Sequence, residues 1–375
     1  MPAEGFFPRK LDCGQWLRTA KEAGFRYAVL VCKHHDGFAN WPSAYTDYSV
    51  ASSPWKNGGG DVVREFTDAC RDNGMGVGLY YSPADAGGKE KFRSGPEYDD
   101  YFIHQVGELL INYGKIDILW FDGYGSEGHS YDWPHIIAEI RSMQPGILIF
   151  NMGDPDIRWV GNEAGLAPHQ CVNVADSVPF SVRDASGDCL QKPKWLPVEC
   201  DLRLHDLNWF YSRDDSGTVK SLDELMGVYY YSVGRGGNML LNIGPDRNGL
   251  LPERDTERLL EFGAEVKRRF SHPLARLEDF RREDNSWVFH PAGKILVDHA
   301  VLMEDLGRGE RIRSFRILIR PYPYGDYVTV YEGKNVGHKA VCRFPAVATE
   351  EVRVLVDSSE DEPALRQIFL YHAQA

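Results

Sequence analysis

The stretch IDILWFDG, Ile116 to Gly123, is an apolar strand that ends on a carboxylate and a glycine. A strand this apolar is covered on both faces, as in the parallel sheet of an α/β protein. Asp122 sits at its C-terminal tip. In α/β barrels that end carries the functional groups, because the βα loops there form the open mouth. Side chains alternate along a strand, so Ile118, Trp120 and Asp122 share one face, and Asp122 points with the barrel interior.

Working outward, strand and helix signals alternate from the N-terminus to about residue 270. YAVLVC, Tyr27 to Cys32, reads as a buried strand. Apolar residues at helical spacing follow over Val62–Cys70, opened by Asp61 as a cap and closed by Gly74. GVGLYYS, Gly76 to Ser82, is the next strand. Helices are predicted over Tyr101–Tyr113, Trp133–Met143, Leu222–Val233 and Glu253–Phe270. Further strands are predicted over Ile147–Met152, Trp195–Asp201 and Asn238–Ile243. Residues 153–194 read as a long irregular connection, and such loops on this kind of scaffold are functional. Repeated βα units imply a parallel sheet wrapped by helices. After His272 the pattern changes to period two, as in SFRILIR (Ser314–Arg320), DYVTVY (Asp326–Tyr331) and EVRVLVD (Glu351–Asp357). That reads as an antiparallel sandwich. The expected architecture is an irregular TIM-like (β/α) barrel over residues 1–271, followed by a C-terminal antiparallel β-sandwich over 272–375.

Composition narrows the function. The 375 residues carry a formal charge of −13 and no basic run, which argues against a nucleic-acid partner. No apolar stretch reaches 18 residues, so no membrane span is expected. MPAEGFFPRK is too short and polar for a signal peptide, which makes the cytoplasm the default compartment unless the natural N-terminus is longer. Seven cysteines are scattered without a CxxC pair and are expected to be buried thiols.

Three further segments carry groups able to do chemistry. KHHDGF, Lys33 to Phe38, follows the strand at Tyr27. Adjacent histidines both face the mouth only if the chain turns there, and Gly37 permits that turn. No third ligand at suitable spacing accompanies them, so no metal is expected. In GVGLYYS, alternation turns Tyr80 into the site and Tyr81 toward the helices. Downstream acids complete the set. Glu163 lies in the loop-like DIRWVGNEAG, whereas Glu199 and Asp201 lie at or just past a strand in LPVECDLRLH. Cleavage of a glycosidic bond by double displacement needs an ionised nucleophile and a second carboxyl acting first as acid, then as base. Asp122 on a rigid strand tip suits the first role and Glu163 on a loop the second. Glu199 is the competing acid, or else forms an ion pair with Arg203 or Arg158. Trp209-Phe210-Tyr211 is the favoured aromatic wall for a sugar ring.

With these segments in place, the chain resembles the α-L-fucosidases of glycoside hydrolase family 29. The resemblance rests on KHHDGF followed by WPS, on LWFDG, and on GPDRNGLLP and MEDLGRGERIRSFRI. DIRWVGNEAG and PVECD with NWFY resemble the subgroup selective for α-1,3/1,4-linked fucose on branched glycans. The resemblance implies a barrel followed by a sandwich and a retaining mechanism without metal or other cofactor. It implies a fucosylated oligosaccharide or glycoconjugate as substrate. It also implies Asp122 as nucleophile, Glu163 as acid/base, His34 and His35 on fucose hydroxyls, Tyr80 beside the nucleophile, Trp209 near the sugar and Arg158 near the acid. A family-type first strand with a histidine would precede Leu11, and residues 1–10 do not supply it. The chain is therefore expected to have an open barrel with an edge at Tyr27–Cys32. The alternative reading is a fucosidase-like glycan-binding protein with little activity.

Overall fold

A computed structural model describes residues 2–87, 95–126, 128–178 and 188–373. Four parallel strands run in the order β1 (Tyr27–Lys33), β2 (Gly76–Tyr81), β3 (Ile118–Phe121) and β4 (Leu148–Phe150). A second parallel group follows as β5 (Arg158–Trp159), β8 (Val198–Arg203) and β9 (Asn238–Asn242). A bridge between Phe150 and Ile157 and the bond from Asn151 N–H to the Ile157 carbonyl join the two groups. The result is one curved parallel wall, the α/β barrel that the strand–helix alternation predicts. Between β5 and β8 lies an antiparallel hairpin of β6 (Val174–Val178) and β7 (Asp188–Trp195).

Local sequence explains the helices. α1 (Cys13–Glu22) is capped by Asp12, which accepts from the Gln15 N–H. α2 (Val62–Asp72) is capped by Asp61, and the chain leaves it through Gly74 at φ +63°. α3 spans Gly95–Asn112, and α4 (Trp133–Met143) starts at Asp132 with Pro134 in its first turn. α5 (Leu222–Tyr231) carries a capping box between Ser221 and Glu224. α6 spans Glu253–Phe270.

Alternation along the strands sorts the core as period two requires. Leu79, Tyr81, Leu119, Phe121 and Ile149 pack outward with the helices. Tyr80, Ile118, Trp120, Phe150 and Trp159 pack inward. The registers set Tyr80 beside Trp120 and Trp120 beside Phe150. Their rings stack, with centroids 5.2 and 4.0 Å apart.

β10 (Ala275–Arg276), β13 (Ile295–Glu304), β16 (Ala340–Thr349) and β18 (Leu365–Tyr371) form one antiparallel sheet. β11 (Arg281–Glu283), β12 (Ser286–Phe289), β14 (Ile312–Arg320), β15 (Val328–Gly333) and β17 (Glu351–Ser359) form the other. Their inner faces share one apolar core, including Trp287, Phe315, Val354 and Ile368.

Two expectations need correction. Residues 153–194 are not one irregular connection. They contain β5 and most of the β6–β7 hairpin; residues 179–187 lie outside the described residues. β5 is only two residues long and too short for any periodicity to register. The strand expected at Trp195–Asp201 is β8, shifted to Val198–Arg203, which moves Asp201 from the tip to the interior. Cys13, Cys32, Cys70, Cys171, Cys200 and Cys342 are buried free thiols, as expected; the Cys189 side chain lies outside the described residues.

The parallel wall does not close by backbone pairing among the described residues. β1 and β9 end the two strand orders. The gap between them is crossed by side chains and by the N-terminal segment. Asn238 Nδ2 donates to Tyr27 Oη at 2.6 Å, and Trp16 Nε1 donates to the Gly249 carbonyl at 3.0 Å. Outside the gap α1 packs on α6, where a Cβ at Gly263 would lie 2.5 Å from the Ala23 Cα. Alanine is the better helix former by ~1 kcal/mol, but the obstruction is backbone. Gly263→Ala should therefore destabilise the protein by about 1–3 kcal/mol in urea unfolding. A stabilised variant would show that the helices separate freely.

Candidate active site

One cavity of about 660 Å³ opens at the C-terminal end of the strands and runs down to the β1–β9 gap. Its upper wall carries His34, His35, Tyr80, Asp122, Glu163, Asp201, Trp209 and Phe210. Its lower wall is apolar, with Val29, Val31, Leu240 and Trp16 among its residues.

Asp122 follows the last residue of β3. Oδ2 accepts from the Tyr80 hydroxyl at 2.6 Å, and Oδ1 accepts from the Tyr124 N–H at 2.8 Å. Two donors thus fix the orientation of the carboxyl group. Burial and the Asp122 charge push the Tyr80 phenol well above its ordinary pKa, so it remains the donor. His35 Nε2 lies 3.6 Å from Oδ2. The chain turns at Gly37, φ +85°, with the Gly37 N–H bonded to the His34 carbonyl at 3.0 Å. That reversal brings both histidines to the mouth, with ring centroids 3.9 Å apart. The His34 ring lies parallel to Tyr80, centroids 5.8 Å apart, and Phe210 meets it edge-on at 4.9 Å. Burial lowers the His34 pKa to about 4, with His35 adding to the shift, so the ring is neutral near pH 7.

Beneath the turn, Lys33 and Asp85 form a buried ion pair at 3.1 Å. Burial draws the Lys33 ammonium down to about 8, and Asp85 opposes that fall. Lys33 also lies over the Tyr81 ring at 4.3 Å.

Glu163 is exposed on the loop after β5. Asn162 Oδ1 accepts from the Ala164 N–H at 3.1 Å, and Asn162 Nδ2 donates to the Leu166 carbonyl at 2.9 Å. Gly161 and Gly165 supply the positive φ values, +90° and +72°. This small turn holds Glu163 at the rim, and no ion pair restrains it among the described residues.

The other acids behave differently. Glu199 is 1% exposed and does not line the cavity. It pairs with neither Arg203 nor Arg158. Oε1 accepts from Trp120 Nε1 at 2.7 Å, while Oε2 accepts from Asn238 Nδ2 at 3.0 Å and from the Tyr27 hydroxyl. Burial raises its pKa, and the three donors oppose the rise. Asp201 does line the cavity at 7% exposure, with Oδ1 accepting from Trp159 Nε1 at 2.5 Å. Burial lifts its pKa to about 7, with the Glu163 and Glu199 charges adding.

Arg158 is not brought to the cavity. Strand alternation turns it opposite to Trp159, and it donates to the Val172 carbonyl at 3.1 Å. Trp209 lies at the rim, with the Arg203 guanidinium 5.5 Å from its ring centroid. Sequence reasoning missed Tyr124 and Asn151 as cavity residues, whereas Phe210 belongs to the aromatic wall that it named. Tyr124 and Asn151 follow the ends of β3 and β4 by three residues and one, a signal that was available.

The fold also supplies what spacing did not. Donor atoms of His34, His35 and Asp122 lie within 4.8 Å of one another. Both Asp122 oxygens already accept hydrogen bonds, so the group is better suited to hydroxyls than to a cation.

A strand-tip carboxylate and a rim carboxylate above stacked rings suit the cleavage of sugar linkages. The class so defined is the glycoside hydrolases. The α-L-fucosidase family model matches residues 2–269. α-L-Fucosidase 1 of Arabidopsis thaliana is 34% identical, with 98% of this chain and 79% of that protein covered. A solved glycoside hydrolase 29 family member from a rumen bacterium is 33% identical at TM-score 0.87, covering 99% and 71% of the two chains. A solved Bacteroides thetaiotaomicron relative is 31% identical at TM-score 0.89, covering 99% and 90%. The chain belongs to this family and is an α-L-fucosidase.

The upward shift at Asp201 has a thermodynamic sign. Between about pH 4 and 7 the folded protein holds a proton that the unfolded chain releases, so stability falls as pH rises through that window. Asp201→Asn keeps an acceptor for Trp159 and removes the charge. Its melting temperature relative to wild type should climb from pH 4 to pH 8, the full effect being on the order of a few kcal/mol. Parallel stability profiles in calorimetry would show that Asp201 stays ionised.

Proposed function

We propose that the enzyme hydrolyses terminal α-1,3/1,4-linked L-fucose on branched glycans with retention of configuration. The observation that carries the reading is that Asp122 and Glu163 line one cavity from different elements, one clamped by two donors and the other unrestrained at the rim. Asp122 attacks the anomeric carbon while Glu163 gives its proton to the departing glycosidic oxygen. A fucosyl ester forms on Asp122. Glu163 then takes a proton from water, whose oxygen displaces Asp122 and regenerates both groups. His34, His35 and Tyr80 orient hydroxyls, and Trp209 lines the apolar side of the ring. The three donors already on Glu199 favour Glu163 over it as the acid. Arg158, turned outward, is left without a role at the sugar. The catalytic unit is read as residues 1–271 and the sandwich unit as 272–375.

This reading includes a barrel one strand short, supported by the two strand orders that end at β1 and β9 with no ladder between them among the described residues, and by the apolar wall there. The same opening favours a second reading, in which a loosened sugar pocket binds fucose but turns it over slowly. Calorimetry separates the two: fucose binding without release from an aryl fucoside supports the second.

Against an aryl α-L-fucoside, Asp122→Ala should lose about 10³-fold or more in kcat. Azide should restore turnover to Glu163→Ala and yield the α-fucosyl azide. Rescue of Glu199→Ala instead would reassign the acid. First-formed β-fucose in an NMR time course would overturn retention. Equal release from α-1,2-linked glycans would overturn the linkage preference.

A further inference from the structure

Ser82 follows β2 and is fully buried. Its Oγ lies 2.9 Å from the Ala84 carbonyl and 2.7 Å from His35 Nδ1. A carbonyl oxygen only accepts, so the single hydroxyl proton of Ser82 goes to Ala84. The Ser82 lone pair then faces His35, and the short contact requires a proton on Nδ1. In a neutral ring Nε2 is then the acceptor nitrogen, on the side of Asp122. We infer that Ser82 is a positioning residue which fixes the Nδ1–H tautomer of His35, so that Nε2 accepts a hydrogen bond from a sugar hydroxyl beside the nucleophile. This rests on the reading of His35 as a sugar-binding residue.

The opposite tautomer has a specific cost and little return. If Ser82 donated to Nδ1, the buried Ala84 carbonyl would lose its donor among the described residues. The Nε2–H so created would face Asp122 Oδ2 at 3.6 Å, beyond hydrogen-bond distance. Asp122 already has two donors in Tyr80 and the Tyr124 N–H.

The frame around Ser82 is tightly tied. Its N–H donates to the Lys33 carbonyl at 2.9 Å, and the Ala86 N–H donates to the His35 carbonyl at 2.8 Å. The Lys33–Asp85 ion pair fastens the same two segments, and the Tyr101 hydroxyl donates to Asp85 at 3.1 Å. The segment 82–86 and the histidine turn therefore keep their spacing, and hydrogen bonding decides the tautomer. Among the described residues, the Asp122 carboxylate faces His35 from the β3 side and the neutral His34 ring from its own turn.

Ring-¹⁵N histidine labelling tests this directly, with His35→Gln assigning the signal. In the wild-type protein at pH 7, His35 should show a protonated Nδ1 and an unprotonated Nε2. Ser82→Ala should shift His35 toward the Nε2–H form and lower kcat/KM for an aryl fucoside by roughly tenfold. Ser82→Thr should restore both. An Nε2–H or doubly protonated His35 in the wild type overturns the inference even if no variant folds. So does an unchanged tautomer in Ser82→Ala. The NMR readout needs no turnover, so it stands apart from failure of the fucosidase mechanism, which Asp122→Ala reports.

Discussion

The buried carboxylate of Glu199 holds the barrel in shape. It takes hydrogen bonds from Tyr27 on β1, Trp120 on β3 and Asn238 on β9 while belonging to β8. Four strands that are not all neighbours thus meet at one side chain. A carboxylate is acceptable at 1% exposure only because each oxygen is satisfied. The arrangement matters most at the β1–β9 gap, where no ladder joins the sheets among the described residues. Side-chain bonds there substitute for backbone pairing, and they lie directly below the cavity. They also fix the indole of Trp120, the middle ring of the stacked floor.

The cavity assigns unlike environments to its acids. Asp122 has hydrogen-bond donors on both oxygens, Glu163 has solvent, and Asp201 has burial with a single donor. Of the three, Asp201 is the one whose burial pushes its carboxyl up, to about 7. The neutral His34 ring fits the same scheme, since a cation there would compete with the sugar for Asp122.

Much of this was legible in the sequence because alternation along a strand is a local rule. It predicted Tyr80 inside and Tyr81 outside, and it predicted Trp120 and Asp122 on one face; the structure agrees on each. Gly37 signalled the histidine turn because a reversal at φ +85° favours glycine. What could not be read has a common cause. The Glu199 knot joins residues 172, 79 and 39 positions away, and no local pattern encodes such meetings. The outward turn of Arg158 follows from pairing β5 with β8, which two residues of strand do not announce. The β6–β7 hairpin was hidden by its polar composition, ordinary for a ribbon exposed to water.

The rim aromatics are built on other foundations. Asp215 takes the N–H groups of Leu207 and Asn208 and anchors the base of the segment bearing Trp209 and Phe210. Phe210 itself stays 52% exposed over His34. The rim aromatics and the Asp122 carboxylate are therefore tied down by separate sets of hydrogen bonds. A substitution at Trp209 or Phe210 thus leaves in place the two hydrogen bonds that fix Asp122.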